Sequence, residues 1–232
     1  MIRKSFSFLP GIGKKKEIHI INQGITSWTK FLNTENIVGI SKKRKLFYNQ
    51  KIKQAEKALY SFDSSYFNNF KEKWKLYNFF KDEALFLDIE ANKDITVIGI
   101  SDGVESKTFV DNINLGRKNL QKEIDKYKII ITFNGSSYDL PILKKKLNIK
   151  INIPHIDLRH LCAGCGLNGG LKEIEKKLGI KRRNIISNMK NGDPSTLFRM
   201  YKGSGNPYYL NLLIEYNEED TINMKRIIEK II

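Results

Sequence analysis

In Leu85-Phe86-Leu87-Asp88-Ile89-Glu90 an apolar, strand-forming run closes on two carboxylates spaced two apart. Side chains alternate between the faces of a β-strand, so Asp88 and Glu90 share one face. Burying two like charges without partners costs several kcal/mol. The pair therefore calls for hydration of a strand end or for a bound cation, and on its own it does not choose.

The sequence around this strand predicts an α/β domain over residues 83–232. Ile95 to Ile100 and Lys107 to Val110 read as the next two strands, joined by a tight Asp102-Gly103 turn. A helix from Arg117 to Tyr127 precedes the apolar strand Ile129-Ile130-Ile131, which Asn134-Gly135 stops. Ser137 is suited to cap a helix reaching Leu147, and a last strand falls around Ile153 to Leu158. These make a five-stranded mixed sheet flanked by helices. Asp193-Pro194 and Asn206-Pro207 are N-cap and first-turn signals for two more helices.

A small N-terminal helical extension precedes the sheet. In residues 1–34 a helix runs to Ile21, with Gly24 positioned to end it and Thr26 or Ser27 to start the next. Residues 35–82 read as a helical connector, helical from Gln50 to Tyr60 and aromatic-rich from Tyr66 to Phe80. No internal repeat is expected.

Forty-one Lys and Arg against 25 Asp and Glu give a net charge of +16, gathered in clusters such as Lys14-Lys15-Lys16 and Lys42-Lys43-Arg44-Lys45. Such a field attracts polyanions, although a solvated surface has the same composition. Lysine is a flexible point charge and arginine a planar fork, so contacts with phosphates are expected rather than base readout. The expected partner is nucleic acid, DNA before RNA. No apolar run approaches the roughly 18 residues of a membrane span. Pro10 and Gly11 interrupt the short apolar patch near the start, against a signal peptide. Cys162 and Cys165 are too few for a disulfide framework, and no second cysteine pair completes a zinc site. A cytoplasmic protein with no membrane partner is expected.

Asp139 lies a few residues past the Ile129-Ile130-Ile131 strand, and Tyr216 and Asp220 stand one turn apart on the last helix. Taken singly, each has an ordinary reading, such as a first-turn aspartate stabilised by the helix dipole. Four carboxylates from three segments, each beside a strand end or on a helix that could pack there, suit hard cations such as Mg²⁺ or Mn²⁺. Two such ions about 4 Å apart can clamp the attacking and leaving oxygens of a phosphoryl displacement.

Phe86-Leu87-Asp88-Ile89-Glu90, Asn134-Gly135-Ser136-Ser137-Tyr138-Asp139 and Tyr216-Asn217-Glu218-Glu219-Asp220 resemble the three ordered motifs of the DEDD exonuclease superfamily, in its tyrosine-bearing branch. Proofreading domains of family B DNA polymerases and ribonuclease D belong to that superfamily. Gly169-Gly170-Leu171-Lys172-Glu173-Ile174-Glu175 and Leu178-Gly179-Ile180-Lys181-Arg182 are similar to the YprB-type ribonuclease-H-like proteins. The resemblance implies a ribonuclease-H-like fold and a 3′→5′ exonuclease. It also implies that Asp88, Glu90, Asp139 and Asp220 hold two Mg²⁺ or Mn²⁺ ions, and that Tyr216 orients the attacking water. Ala91 departs from the family, which usually has threonine there.

Asn134, Lys144 and Arg182 are candidate contacts to the nucleic-acid backbone, with solvated charge as the alternative. Gly11-Ile12-Gly13 after Pro10 resembles the hairpin of helix-hairpin-helix DNA binders, whose backbone N–H groups accept a phosphate. A glycine-rich turn entering a helix is the plainer reading. A structure-selective endonuclease on the same fold, or a non-catalytic nucleic-acid-binding subunit, are the alternatives to the exonuclease.

Overall fold

Two glycine turns open the two main helices of the first eighty residues in the computed structural model, which describes residues 1–91, 94–183 and 194–232. Gly11 and Gly39 both take positive φ, +77° and +84°, a region L side chains rarely enter. In each turn the following isoleucine donates its N–H back three residues, Ile12 to the Leu9 carbonyl and Ile40 to the Ile37 carbonyl, both at 3.0 Å. Gly13 then caps α1 (Lys14–Asn22) and Ser41 caps α3 (Lys42–Tyr60), with α2 (Trp28–Asn33) between them. Leu9 to Lys16 and Ile37 to Arg44 are thus one motif used twice, which corrects the expectation of no repeat. Only the glycine, the isoleucine and three basic positions recur, too few to stand out until the shared turn is seen. The α3 helix also begins well before Gln50, because the Ser41 side chain accepts from the Arg44 N–H.

The chain packs as two compact units, residues 1–81 with 152–154, and residues 82–151 with 155–232. The first unit adds the short helix α4 (Tyr77–Phe80) and an aromatic core of Phe6, Trp28, Phe31 and Phe67. The Trp28 indole N–H is not wasted in this core; it donates to the Ser5 carbonyl at 2.7 Å.

The second unit contains β1 (Ala84–Ala91), β2 (Ile95–Ser101), β3 (Ser106–Val110), β4 (Ile129–Thr132) and β5 (His155–Asp157). They form a mixed sheet in the order β3-β2-β1-β4-β5. β1 pairs antiparallel with β2 and parallel with β4. The fold is therefore the α/β, five-stranded mixed sheet flanked by helices that the sequence predicts. The helices are α5 (Arg117–Ile124), α6 (Asp139–Leu147), α7 (Leu158–Gly164), α8 (Leu171–Lys177), α9 (Pro194–Ser204) and α10 (Pro207–Ile231). Asn206 caps α10 as expected, whereas Asp193 lies outside the described residues.

Two local expectations are corrected. β1 does not end at its acids: Asp88 pairs with Gly99 and Glu90 with Val97, so both lie inside a hydrogen-bonded ladder. They are thus not at a strand end, although both side chains are only half-buried and keep some contact with water. Ser137 does not cap α6, which begins at Asp139 after Tyr138 with no side-chain cap. The turn before it is held by Asp157, whose carboxylate accepts the N–H groups of Asn134 (2.9 Å) and Ser136 (3.0 Å). Among the described residues no helix is long and apolar enough to cross a membrane.

The long helix α10 packs on β1, β2 and β3. Leu210 and Leu213 meet Val97, Val110 and Leu197 in one cluster. Its close approach to β2 needs Gly99, since a Cβ there would collide with the fully buried Asn217 side chain. Gly99→Ala should therefore destabilise the protein by about 1–3 kcal/mol, the usual cost of overpacking. An unchanged denaturant midpoint would show that Asn217 moves aside freely.

Candidate metal centre

The register of β1 and the periodicity of α10 together build an acidic centre. Asp88 and Glu90 point from the same face of β1. On α10 the positions Leu210, Leu213, Asn217, Asp220, Met224 and Ile227 recur every three or four residues, and all are buried. The stripe that should be wholly apolar thus carries two polar residues at its middle. Docking it on the sheet brings Asp220 to β1, where Asp88, Glu90 and Asp220 offer oxygens within 4.8 Å of one another.

Asp139 comes from a third direction. The turn pinned by Asp157 places it at the start of α6, with its carboxyl accepting the N–H of Ile89. It lies outside the 4.8 Å trio, yet its charge acts on Asp88. Asp139 is 3% exposed, and its Oδ1 is buried with no hydrogen-bond partner. An orphaned carboxylate oxygen is costly. A divalent cation, which takes oxygen ligands, would satisfy it, so the donor set fits a metal.

Crowding and burial show in the acidities. Burial, then the charge of Asp139, raises Asp88 to about 7. Burial raises Asp139 to about 7 as well. Burial, then Asp88, raises Asp220 to about 8. Opposing this, the Asn217 amide donates to Asp88 Oδ2 at 2.7 Å. Arg182 Nη2 approaches Asp220 Oδ1 at 2.5 Å. Tyr216, one turn before Asp220, is 9% exposed. Its phenol is pushed far above the ordinary range, mainly by burial and then by the charge of Asp220.

The remaining predicted residues are placed differently. Gly11 and Gly13 sit at the first glycine turn, in the other compact unit. Asn134 adopts the left-handed region (φ +65°), and its side-chain carbonyl accepts from Arg159 at 3.0 Å. Lys144 is exposed on α6. Arg182 requires a correction: its side chain is only 7% exposed and is committed to Glu175 and Asp220, so it does not present a free cation to a backbone phosphate. Its fork geometry matches carboxylates equally well, which sequence alone cannot distinguish.

Asn217, Glu175 and Asn223 were not singled out by the sequence reading as residues of the centre. For Asn217 and Asn223 the signal was available, because both fall on the buried side of α10. Glu175 carries no such mark beyond a lone acid on the inner side of a short helix.

Residues 85–232 match the model of the family RNase_H_2, described as the RNase_H superfamily. The chain belongs to the RNase H superfamily. Membership in it supports nuclease activity on nucleic acid, and RNase H-like nucleases generally use divalent metal ions. No curated protein matches the chain. Among solved structures, the family B DNA polymerase from the hyperthermophilic archaeon Pyrobaculum calidifontis is similar over 63% of the chain, at 14% identity and a TM-score of 0.49. The chain spans only 24% of that polymerase.

The raised acidities of this RNase H-like centre predict a pH dependence. An acid whose folded pKa stands above its unfolded value near 4 is protonated more readily in the native state. The stability it contributes is complete below that unfolded value and is lost as pH rises through the folded one. With a chelator present, the melting temperature should therefore fall between about pH 4 and about pH 8. Added Mg²⁺ or Mn²⁺ should oppose the fall by binding the ionised native form. A melting temperature that rises across this window in chelator would contradict the assignment.

Proposed function

We propose that this protein is a two-metal-ion 3′→5′ exonuclease, residues 83–232 forming the nuclease domain and Asp88, Glu90, Asp139 and Asp220 holding two Mg²⁺ or Mn²⁺ ions. The observation that carries the proposal is the convergence of three carboxylates from β1 and α10 within 4.8 Å, with the orphaned oxygen of Asp139 beside them. When bound, such ions would acidify a water and neutralise charge on the departing 3′ oxygen.

The chain's own groups set what else occurs. Tyr216 keeps its proton at neutral pH, since burial and neighbouring acids oppose ionisation. It is therefore a donor that orients the attacking water, not a general base. Asn217 holds Asp88 from behind and leaves the carboxylate less free to turn. A cleft beside Glu90 is lined by Thr96, Tyr138, Phe198 and Arg199. Its aromatic rings and its cation suit a nucleotide at the end of a strand, by stacking and by phosphate attraction. Residues 1–34, with the glycine turn at Gly11 and Gly13, and the connector at 35–82 serve the same substrate through non-specific backbone contacts. DNA is preferred to RNA in this reading, and Lys144 adds to the attracting field.

The test is a digestion panel of DNA and RNA labelled at either end, with Mn²⁺ or with chelator. Release of nucleotides from the 3′ end, only with metal, and intact circular strands are expected. Asp88→Ala and Asp220→Ala should each lose on the order of 1,000-fold or more, the scale of removing an electrostatic stabiliser. Tyr216→Phe should lose less than about 100-fold, below the usual contribution of proton transfer. Cut circles would reassign the protein as an endonuclease, and undiminished cleavage by Asp88→Ala would remove the site.

A further inference from the structure

After α8 the chain turns at Gly179 (φ +67°) and runs back along α10. It is fastened there by the Arg183 N–H, which donates to Glu219 Oε1 at 2.7 Å. The neighbouring Arg182 turns inward. Its Nε and Nη2 donate to the two oxygens of Glu175 at 2.6 and 2.8 Å, and Nη2 also reaches Asp220 Oδ1 at 2.5 Å. Glu175 is 2% exposed, and its Oε1 accepts in addition from the Asn223 amide at 3.0 Å. The guanidinium carbon lies 5.4 Å from the centroid of the Tyr216 ring.

We propose that Arg182, clamped by Glu175, is a positioning residue that fixes the Asp220 carboxylate and the Tyr216 ring in the arrangement that receives a divalent cation. The inference rests on the metal-dependent reading above and deepens it.

Two possible roles for Arg182 differ in sign. A bare positive charge next to the acids would repel an incoming cation, and its removal would tighten metal binding. A positioning group does the reverse. The geometry selects the second, because a bidentate pair with Glu175 is neutral as a unit. What it presents to Asp220 is a close ion contact, Nη2 to Oδ1 at 2.5 Å, from a guanidinium whose charge Glu175 partly offsets. A planar fork gripped along its Nε–Nη2 edge keeps one orientation, which a flexible lysine ammonium does not. The guanidinium carbon also lies over the Tyr216 ring, so one side chain touches both residues, which stand one turn apart on α10.

The test is Mn²⁺ titration of the full chain without nucleic acid, following free Mn²⁺ by electron paramagnetic resonance. Arg182→Lys and Arg182→Gln should both weaken binding by about 10- to 100-fold, as loss of a group that orients a metal ligand does. Glu175→Gln, which leaves Arg182 charged but loosens the clamp, should weaken it in the same direction. Circular dichroism checks folding, and where Arg182→Gln fails to fold, Arg182→Lys decides. Unchanged or tighter Mn²⁺ binding in the Arg182 variants, or an unchanged Glu175→Gln, overturns the proposal. Wild-type protein that binds no Mn²⁺ would sink the metal-dependent reading and this inference together. Wild-type binding with unaffected variants would sink this inference alone.

Discussion

Mutual repulsion among Asp88, Asp139 and Asp220 is the constraint to which the surrounding structure answers. Each is pushed toward its neutral form by burial, and their charges press on one another. Placing such groups together costs folding free energy, so their neighbours must hold them. β1 supplies a rigid, doubly paired strand, α10 supplies a helix anchored by leucines on the sheet, and Asp157 ties down the turn that delivers Asp139. Crowded carboxylates with raised acidities mark a candidate site, where groups are gathered for chemistry rather than for stability.

The counter-charges are arranged economically. Asn217 donates to Asp88 without adding charge, and Arg182 reaches Asp220 while its own charge is matched by Glu175. The centre therefore keeps its negative character, which is what a cation site needs, and still has directional partners. Gly99 belongs to the same design. Its missing side chain is the space in which Asn217 lies against Asp88.

In the first compact unit a different economy operates. One glycine turn with a basic first helical turn is used twice, at Gly11 and at Gly39, around a core of aromatic residues. The glycine is required each time because the backbone enters a left-handed conformation there.

Periodicity and turn chemistry were enough to read the sheet, since alternating and continuous apolar runs bounded by Asn-Gly and Asp-Gly report burial directly. The motifs along the chain likewise pointed to a ribonuclease-H-like fold, the superfamily that residues 85–232 match. Local propensity could not show that β1 continues past Asp88 and Glu90, because that depends on pairing with Val97 and Gly99 from a separate segment. Nor could it show that the Arg182 fork grips two buried acids and not a phosphate. Hydrogen-bond partners distant in sequence, such as Glu175 and Asp220 for Arg182, are chosen only when helices and strands dock. The residue types carry the chemistry, and the packing decides which of them meet.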